Sequence, residues 1–567
     1  MVARDQERRH QTSVNPMTDK FDCDVLIVGA GPVGLTLATD LARRGLQVVM
    51  TEIRQFAEPP NVKCNHVSAR SMEHFRRLGV ASVLRNAGLP QDYPNDVVFR
   101  TSMTGFELTR IPIPSRQDRY SKKVGPDTHW ATPEPPHRIN QLFLEPLLLR
   151  HAVAQPGVRL LNRSRLVDLV QDAEGVTVTL MDLDTQYSQN LRAPYVVGCD
   201  GGSSFVRKKI GAKLEGTDVI QRVQSTYIRA PGLASLLPGA PAWCYYSVNT
   251  RRCGTVFAID GRETWLVHNH LHPDEPEFDS IDRDQSIRHI LGVDGEFAYD
   301  IISKEDWVGR RLLANRFREG RVFLAGDAAH LWVPYAGYGM NAGIADATNL
   351  AWLLDATLKG WADASILNAY EAERHPITEQ VSHFVMNHAQ KMIKARRAVP
   401  DNIEALDAEG EASRQLIGAE AYELNVQQFC CEGLNFGYYY DNSPIIAHEP
   451  EQPPSYSMGS FTASTLPGCR APHFWLNSGE SLYDLLGSGY SLLKFDRSVS
   501  VEPLVQEAQR QGLPLKLIDL SSELNKPEAY IHPLLVCRTD QHVVWRGHTL
   551  PASLTDWVGM LRSKSVA

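Results

Sequence analysis

Residues 24–52, DVLIVGAGPVGLTLATDLARRGLQVVMTE, decide the fold. Val25 to Val28 form a short, unbroken apolar run, as a parallel strand covered on both faces requires. Gly29, Gly31 and Gly34 follow at once in a G-x-G-x-x-G frame, with Pro32 inside it. A helical periodicity comes next: Val33, Leu37 and Leu41 share one face, and Leu35, Ala38 and Ala42 lie beside it. Arg43 and Arg44 suit a helix C-terminus, and Gly45 suits the position just beyond. A second apolar strand over residues 48–50 leads to Glu52. The whole reads as a βαβ unit that holds the ADP half of a dinucleotide. Gly29 allows the tight turn, Gly31 lets the pyrophosphate approach the backbone, and Gly34 lets helix and strand pack closely. The phosphates would sit at the helix N-terminus and Glu52 would accept from the ribose hydroxyls. The plainer alternative is a turn in which these glycines only ease packing. The motif does not separate FAD from NAD(P).

At 567 residues the chain is long enough for about three or four domains. Its 43% hydrophobic and 22% charged residues are ordinary for a globular protein. A formal net charge of -8 argues against general nucleic-acid binding. No run of about 20 apolar residues suggests a membrane span. Residues 1–20, MVARDQERRHQTSVNPMTDK, are polar, lack the apolar core of a secretory signal, and read as a disordered extension. The nine cysteines are scattered with no C-x-x-C, so neither a disulfide framework nor a metal site is expected, and a reducing cytoplasm is the expected location.

Farther along, residues 61–78 start as a polar loop and turn helical, with Met72, Phe75 and Leu78 on one face and Arg70 near the helix start. There Arg70 could reach a phosphate; otherwise it is a solvated arginine. Residues 138–151 read as a helix with Gln141 near its start. Residues 158–180 read as a strand pair with a turn at 172–175. A buried strand at 195–198 runs into CDGGSSFVRKKIG, placing Asp200 and Gly201 at the carboxyl edge of a sheet, where α/β folds put ligands. Short alternating strands over about 215–305 suggest an antiparallel sheet with one face on a cavity. A buried strand at 321–325 then leads into GDAAH. These features predict a discontinuous Rossmann-like domain (21–85, 136–212 and 306–400). They also predict an antiparallel-sheet substrate domain (86–135 and 213–305) and a linker with a helical segment (401–455). Residues 456–567 form a small α/β domain of thioredoxin type, which lacks the paired cysteines of redox chemistry.

Three stretches together, GAGPVG at 29–34, GCDGGSSFVR at 198–207 and GDAAH at 326–330 with its tail PYAGYGMNAGIADATNLAW, resemble the class A flavoprotein monooxygenases, the para-hydroxybenzoate hydroxylase and phenol hydroxylase family. The resemblance spans about 22–400. RAPHFW at 470–475 and VVWRG at 543–547 resemble the thioredoxin-like tail of the phenol and aromatic-polyketide hydroxylases. It implies FAD at the first motif, with Gly29, Gly31, Pro32, Gly34, Glu52, Ile53 and Arg54 around the ADP half. Arg70 would contact the FAD, and Gln141 the neighbourhood of the ribityl chain. Asp200 and Gly201 form the middle motif, Gly326 and Asp327 hold the ribityl chain, and Pro334, Gly337, Gly339, Met340 and Asn341 line the ring. One departure stands out: Val333 replaces the first of two usual prolines.

The same resemblance implies a monooxygenase that uses NADPH or NADH and O2. It would hydroxylate a small phenolic or polycyclic aromatic substrate ortho or para to its hydroxyl through a flavin C4a-hydroperoxide, and it would act as a homodimer. Alternatives are a Baeyer-Villiger or epoxidising oxygenase of a polycyclic polyketide, and a non-oxygenating flavin electron-transfer protein. A plain NAD-linked dehydrogenase is disfavoured, because no second Rossmann-type G-x-G-x-x-G is present. A base within reach of the phenol would help the reaction; the candidates are Tyr227, Tyr245, His268 and His66, with Tyr335 near the ring. Trp243, Tyr245, Tyr246, Phe257 and Trp265 suit a flat apolar substrate, or equally a sheet core.

Overall fold

The computed structural model describes residues 20–275 and 277–564. The expected extension at 1–20 therefore lies outside the described residues except for Lys20. The strands Val25–Val28, Val48–Thr51 and Tyr195–Gly198 are unbroken apolar runs and are buried on both faces. They sit at the centre of a six-stranded sheet flanked by Val158–Leu161, Val322–Leu324 and Arg318–Glu319. All pairings are parallel except the last. The helices Pro32–Arg43, Gln141–Val153 and Tyr338–Leu358 cover this sheet, completing the expected Rossmann-like domain.

A nine-stranded sheet forms the second layer. Its spine is the 16-residue strand Leu214–Arg229, followed by Thr264–His270, Gly254–Ala258 and Cys244–Ser247. Beyond these, Val97–Arg100 joins in parallel and Glu107–Ile111 forms the edge. The domain boundary lies later than 306, because Trp307–Ala314 and His330–Leu331 pair into this sheet and not into the Rossmann-like one. Two other readings are filled in. The strand pair expected at 158–180, with its turn at 172–175, is Ser164–Gln171 and Val176–Asp182, and Ser188–Ala193 extends it to a three-stranded meander. The helical segment expected within 401–455 is the 22-residue helix Ala408–Phe429. That helix lies on the edge strand so closely that a Cβ on Gly418 would overlap the carbonyl of Leu108.

The C-terminal sheet runs in the order Leu515–Asp519, Tyr490–Lys494, Leu534–Arg538, Val543–Gly547. Its first pair is parallel and the others antiparallel. It is fastened to the Rossmann-like domain by buried charge. Arg538 bonds Glu373 with both terminal nitrogens at 2.5 and 2.9 Å, and Arg470 pairs with Glu73.

Candidate active site

The glycine loop is shaped by contact at two of its three glycines. Gly29 has φ +104°, and a Cβ there would strike the Cys199 carbonyl. A Cβ on Gly34 would strike the carbonyl of Gly29. Gly31 differs: its φ and ψ are extended and nothing lies within 4 Å of a Cβ built on it. Its hydrogen thus faces open space at the helix N-terminus, the place a diphosphate would occupy.

Glu52 follows directly on the second strand. One of its oxygens accepts from the Ala30 amide at 3.0 Å, and Arg54 donates to both through its side chain. Burial raises the carboxyl, but the Arg54 and Ala30 hydrogen bonds outweigh it and hold it below the usual carboxylate range. Arg54 also pairs with Glu145 at 2.7 Å, and Gln141 donates to Glu145 at 2.9 Å. The expected cofactor residues Glu52, Arg54 and Gln141 therefore form one polar row, while the Ile53 side chain is half exposed at the rim. In the middle motif the Asp200 carboxylate is engaged locally: it accepts from Ser204 Oγ at 2.5 Å and from the Phe205 amide at 2.7 Å. Gly201 next to it is left-handed and open around its Cα.

The GDAAH stretch is held at both ends and free in the middle. Asp346 is fully buried, accepts from the Gly326 amide at 3.1 Å, and meets His330 Nε2 at 2.7 Å and Arg374 Nε at 2.9 Å. Asp327, between those anchors, has exposed surface and no protein hydrogen-bond donor among the described residues. Burial still pushes its carboxyl up, with His330 and Lys63 pulling the other way. A carboxylate surrounded by protein yet open on one side faces a cavity, as one that binds ribityl hydroxyls must.

The following loop turns through Ala336 and Gly337, both left-handed at φ +55° and +59°, into the N-terminus of Tyr338–Leu358. A Cβ on Gly337 would come within 2.9 Å of His66 Cβ, whereas Gly339 is open. Asn341 does not point at the ring position: it accepts from the Ser68 amide at 2.8 Å and donates to Gly337 O at 2.6 Å, which ties the loop to the His66 segment. Pro334 is exposed, and Gly339 and Met340 are half-buried at the helix start, whose free amides offer donors to a flavin edge.

Opposite this loop stands an aromatic wall. Arg138 Nη1 bonds His66 Nδ1, Nη2 donates to Phe429 O at 3.2 Å, and the guanidinium lies 4.8 Å from the Trp243 ring centroid. Trp243 packs on Phe257 at 5.4 Å and Phe429 at 6.1 Å. Arg138 is buried and forms no ion pair among the described residues. His66 Nε2 is buried with no partner among the described residues. A guanidinium can only donate, so Nδ1 carries the lone pair and Nε2 the proton. Burial and the adjacent Arg138 keep the imidazole well below its usual range. His66 is thus a neutral, unsatisfied N–H donor and not the base it was expected to be.

Cross-strand partners share a face, and this sorts the remaining candidates. Tyr246, Thr255 and His268 are opposite one another, as are Cys244, Phe257, Leu266 and Tyr227. Tyr227 and His268 therefore share the wall face, where burial lowers the His268 imidazole to about 4. Tyr245 lies on the other face: its hydroxyl accepts from the Ala242 amide at 2.7 Å, its ring packs on Trp265, and burial pushes it up to about 12. Three expectations are corrected here. Tyr245 is turned away by strand alternation. Arg70 is turned from the cofactor to the C-terminal domain, bonding Glu73, Gln541 and the Asp540 carbonyl at 3.0 Å. Tyr335 likewise leaves the ring position and donates to Gln221 at 3.0 Å. Sequence reasoning missed Arg138, Lys63 and Phe429. The only available signal for Arg138 was a charge at the head of an apolar helix, and Phe429 lay in a stretch read as a linker with a helical segment, with nothing to aim it at the site.

A glycine loop open at Gly31, a partnerless carboxylate at Asp327 and a helix N-terminus beside an unsatisfied His66 fit FAD along its length. The chain belongs to the FAD binding domain family, whose model matches residues 22–385, and it is a class A flavin-dependent monooxygenase. It is 29% identical to the FAD-dependent monooxygenase apdD of Emericella nidulans over 97% of this chain and 90% of that one. It is 27% identical to the phenol 2-monooxygenase of a Pseudomonas species over 94% and 91%. The rebeccamycin biosynthetic enzyme RebC, solved with reduced flavin, superposes with a TM-score of 0.85 at 32% identity, covering 96% of this chain and 99% of that one. Among the described residues no helix is long and apolar enough to cross a membrane.

Proposed function

We propose that the protein hydroxylates a phenolic aromatic substrate ortho or para to its hydroxyl, with NADPH or NADH and O2 as co-substrates. The observation that carries this reading is the Arg138–His66 pair, set between the flavin loop at Gly337 and the wall of Trp243, Phe257 and Phe429. The flavin, when bound, supplies reducing equivalents and oxygen activation. The chain's residues do the rest. The aromatic wall takes the flat face of the substrate and excludes water. His66 Nε2–H donates to the substrate oxygen. Arg138, a buried cation without a carboxylate, lowers the pKa of a phenol placed beside it and so favours the electron-rich phenolate. No strong general base is needed, which suits a wall whose histidine, His268, is held at about 4. Likeness to a phenol 2-monooxygenase supports a phenolic substrate, and likeness to RebC supports a larger, polycyclic one.

The test is product analysis. The FAD-loaded enzyme is given NADPH or NADH with a panel of one-ring and polycyclic phenols, and hydroxylated product is measured against cofactor consumed. Stoichiometric hydroxylation of a phenol supports the reading. Consumption that yields only hydrogen peroxide across the panel, or product from ketones but no phenol, overturns it.

A further inference from the structure

A second cavity lies outside every motif discussed above. It holds about 250 Å³ between the strands Leu214–Arg229 and Thr264–His270 and the C-terminal turn of the helix Asn368–Arg397. A register shift between Thr217 and Gln221 lifts Val219 and Ile220 away from the neighbouring strand and opens it. Arg222, Arg396 and Arg397 line it together with His270 and His272, and among the described residues no acidic side chain does. None of the three guanidiniums joins an ion pair among the described residues, and Arg396 Nη2 is buried without a partner. Guanidiniums do not deprotonate, so three sharing one pocket repel one another until an anion enters.

The cavity is also wired to the flavin loop. Arg396 Nη1 donates to the Tyr335 hydroxyl at 3.1 Å, which donates to Gln221 Oε1 at 3.0 Å. The Gln221 amide meets His270 Nδ1 at 3.0 Å, and His270 Nε2 meets Thr255 at 3.0 Å. Tyr335 belongs to the left-handed turn that shapes the ring position, so one hydrogen-bonded chain joins the cavity wall to that turn.

We propose that this cavity binds an anionic oxygen group, a phosphate or a carboxylate, and that its occupancy is felt at the flavin loop through Arg396 and Tyr335. Bidentate guanidinium contacts suit both anions. The apolar side, formed by Val219, Ile220 and Ile393, accepts the body of the ligand. The phosphates of the nicotinamide dinucleotide and the carboxylate of an aromatic acid are the two sources this chemistry allows.

The test is equilibrium binding, which is independent of any turnover and so of the phenol reading. The full-length FAD-loaded protein is titrated by calorimetry with inorganic pyrophosphate and, separately, with benzoate, while the visible flavin spectrum is recorded. At least one probe should bind saturably and perturb the spectrum. Arg222→Gln combined with Arg397→Gln should weaken it at least tenfold at unchanged flavin content and thermal midpoint, since neither side chain has a hydrogen-bond or ion-pair partner among the described residues. Arg396→Gln should weaken binding and also abolish the spectral response. Pyrophosphate binding competed by NADPH or NADH assigns the site to the dinucleotide, and benzoate binding assigns it to a carboxylate ligand. Failure of both probes to bind the wild type, or wild-type affinity in the double variant, overturns the site. Saturable binding with no spectral response overturns its coupling to the loop.

Discussion

Arg138 donates to Nδ1 of His66 and thereby fixes where the imidazole keeps its proton. His66→Ala removes the unpartnered Nε2 donor, and a net hydrogen bond is worth about 1 kcal/mol. We expect productive hydroxylation to fall roughly five- to tenfold, with more hydrogen peroxide per cofactor oxidised, and His66→Gln to recover part of the loss. Arg138→Met should raise the apparent pKa of His66, because the neighbouring positive charge is gone. An ionisation nearer the ordinary histidine value should then appear in the pH–rate profile, where the wild type shows none from this residue. Unchanged coupling in both variants would sink the assignment.

Asp327 faces its cavity without a hydrogen-bond donor among the described residues, so no hydrogen bond of the fold is lost with it. Asp327→Ala should lower flavin retained on purification and raise the FAD dissociation constant about tenfold or more, while far-UV circular dichroism stays at wild type. Wild-type flavin content in that variant would remove the ribityl chain from this strand end.

Two neighbouring glycines should respond in opposite ways. Gly34→Ala drives a methyl into the Gly29 carbonyl and should destabilise the apoprotein, read as a lower thermal midpoint without FAD. Gly31→Ala adds a methyl to open space and should leave the apoprotein midpoint alone while weakening FAD binding. Equal effects on the apoprotein would contradict the geometry.

Arg538 is completely buried with Glu373 and Asp540. Arg538→Met should cost about 3–5 kcal/mol by leaving two carboxylates buried without their cation, seen as an earlier urea midpoint. Adding Glu373→Gln should recover part of that loss. A loss additive with the second substitution would show that the pair is not coupled.

Acid should destabilise the fold through its buried imidazoles. Burial holds His137 at about 3 and His268 and His473 at about 4. Their unfolded values lie near 6.5, so the unfolded chain binds more protons as pH falls below that value, and stability declines from about pH 6.5 towards 4. Each would remove roughly 1–2 kcal/mol by pH 5. Thermal midpoints at pH 7, 6 and 5 in matched buffers check this, and His268→Asn should shallow the decline.

What the sequence discloses depends on how local the signal is. The βαβ unit is legible because strand, glycines, helix and Glu52 lie within 29 consecutive residues and each has its own steric or electrostatic reason. Asp327 is legible through its flanking motif, although Asp346 and Arg374, which hold that motif in place, carry no local mark. Arg70 is misread because its helix position is right while its direction is set by a domain that begins nearly 400 residues later, where Asp540 and Gln541 wait. Tyr245 is misread because an aromatic on an alternating strand does not announce its face. The boundary near 306 slips because Trp307–Ala314 is apolar enough to belong to either sheet, and only pairing decides.

The wall over the flavin loop is gathered from His66, Arg138, Trp243, Gly337 and Phe429, contributions scattered across more than three-fifths of the chain. During synthesis the ADP-binding unit can form early, but the enclosure of the ring waits until the helix ending at Phe429 has emerged and docked on its edge strand. Nascent or truncated chains that stop short of that helix should grip adenosine without shielding the ring. Yellow colour alone would then overstate how much competent enzyme a preparation holds, and protection of the flavin from solvent quenchers is the stricter gauge of complete folding.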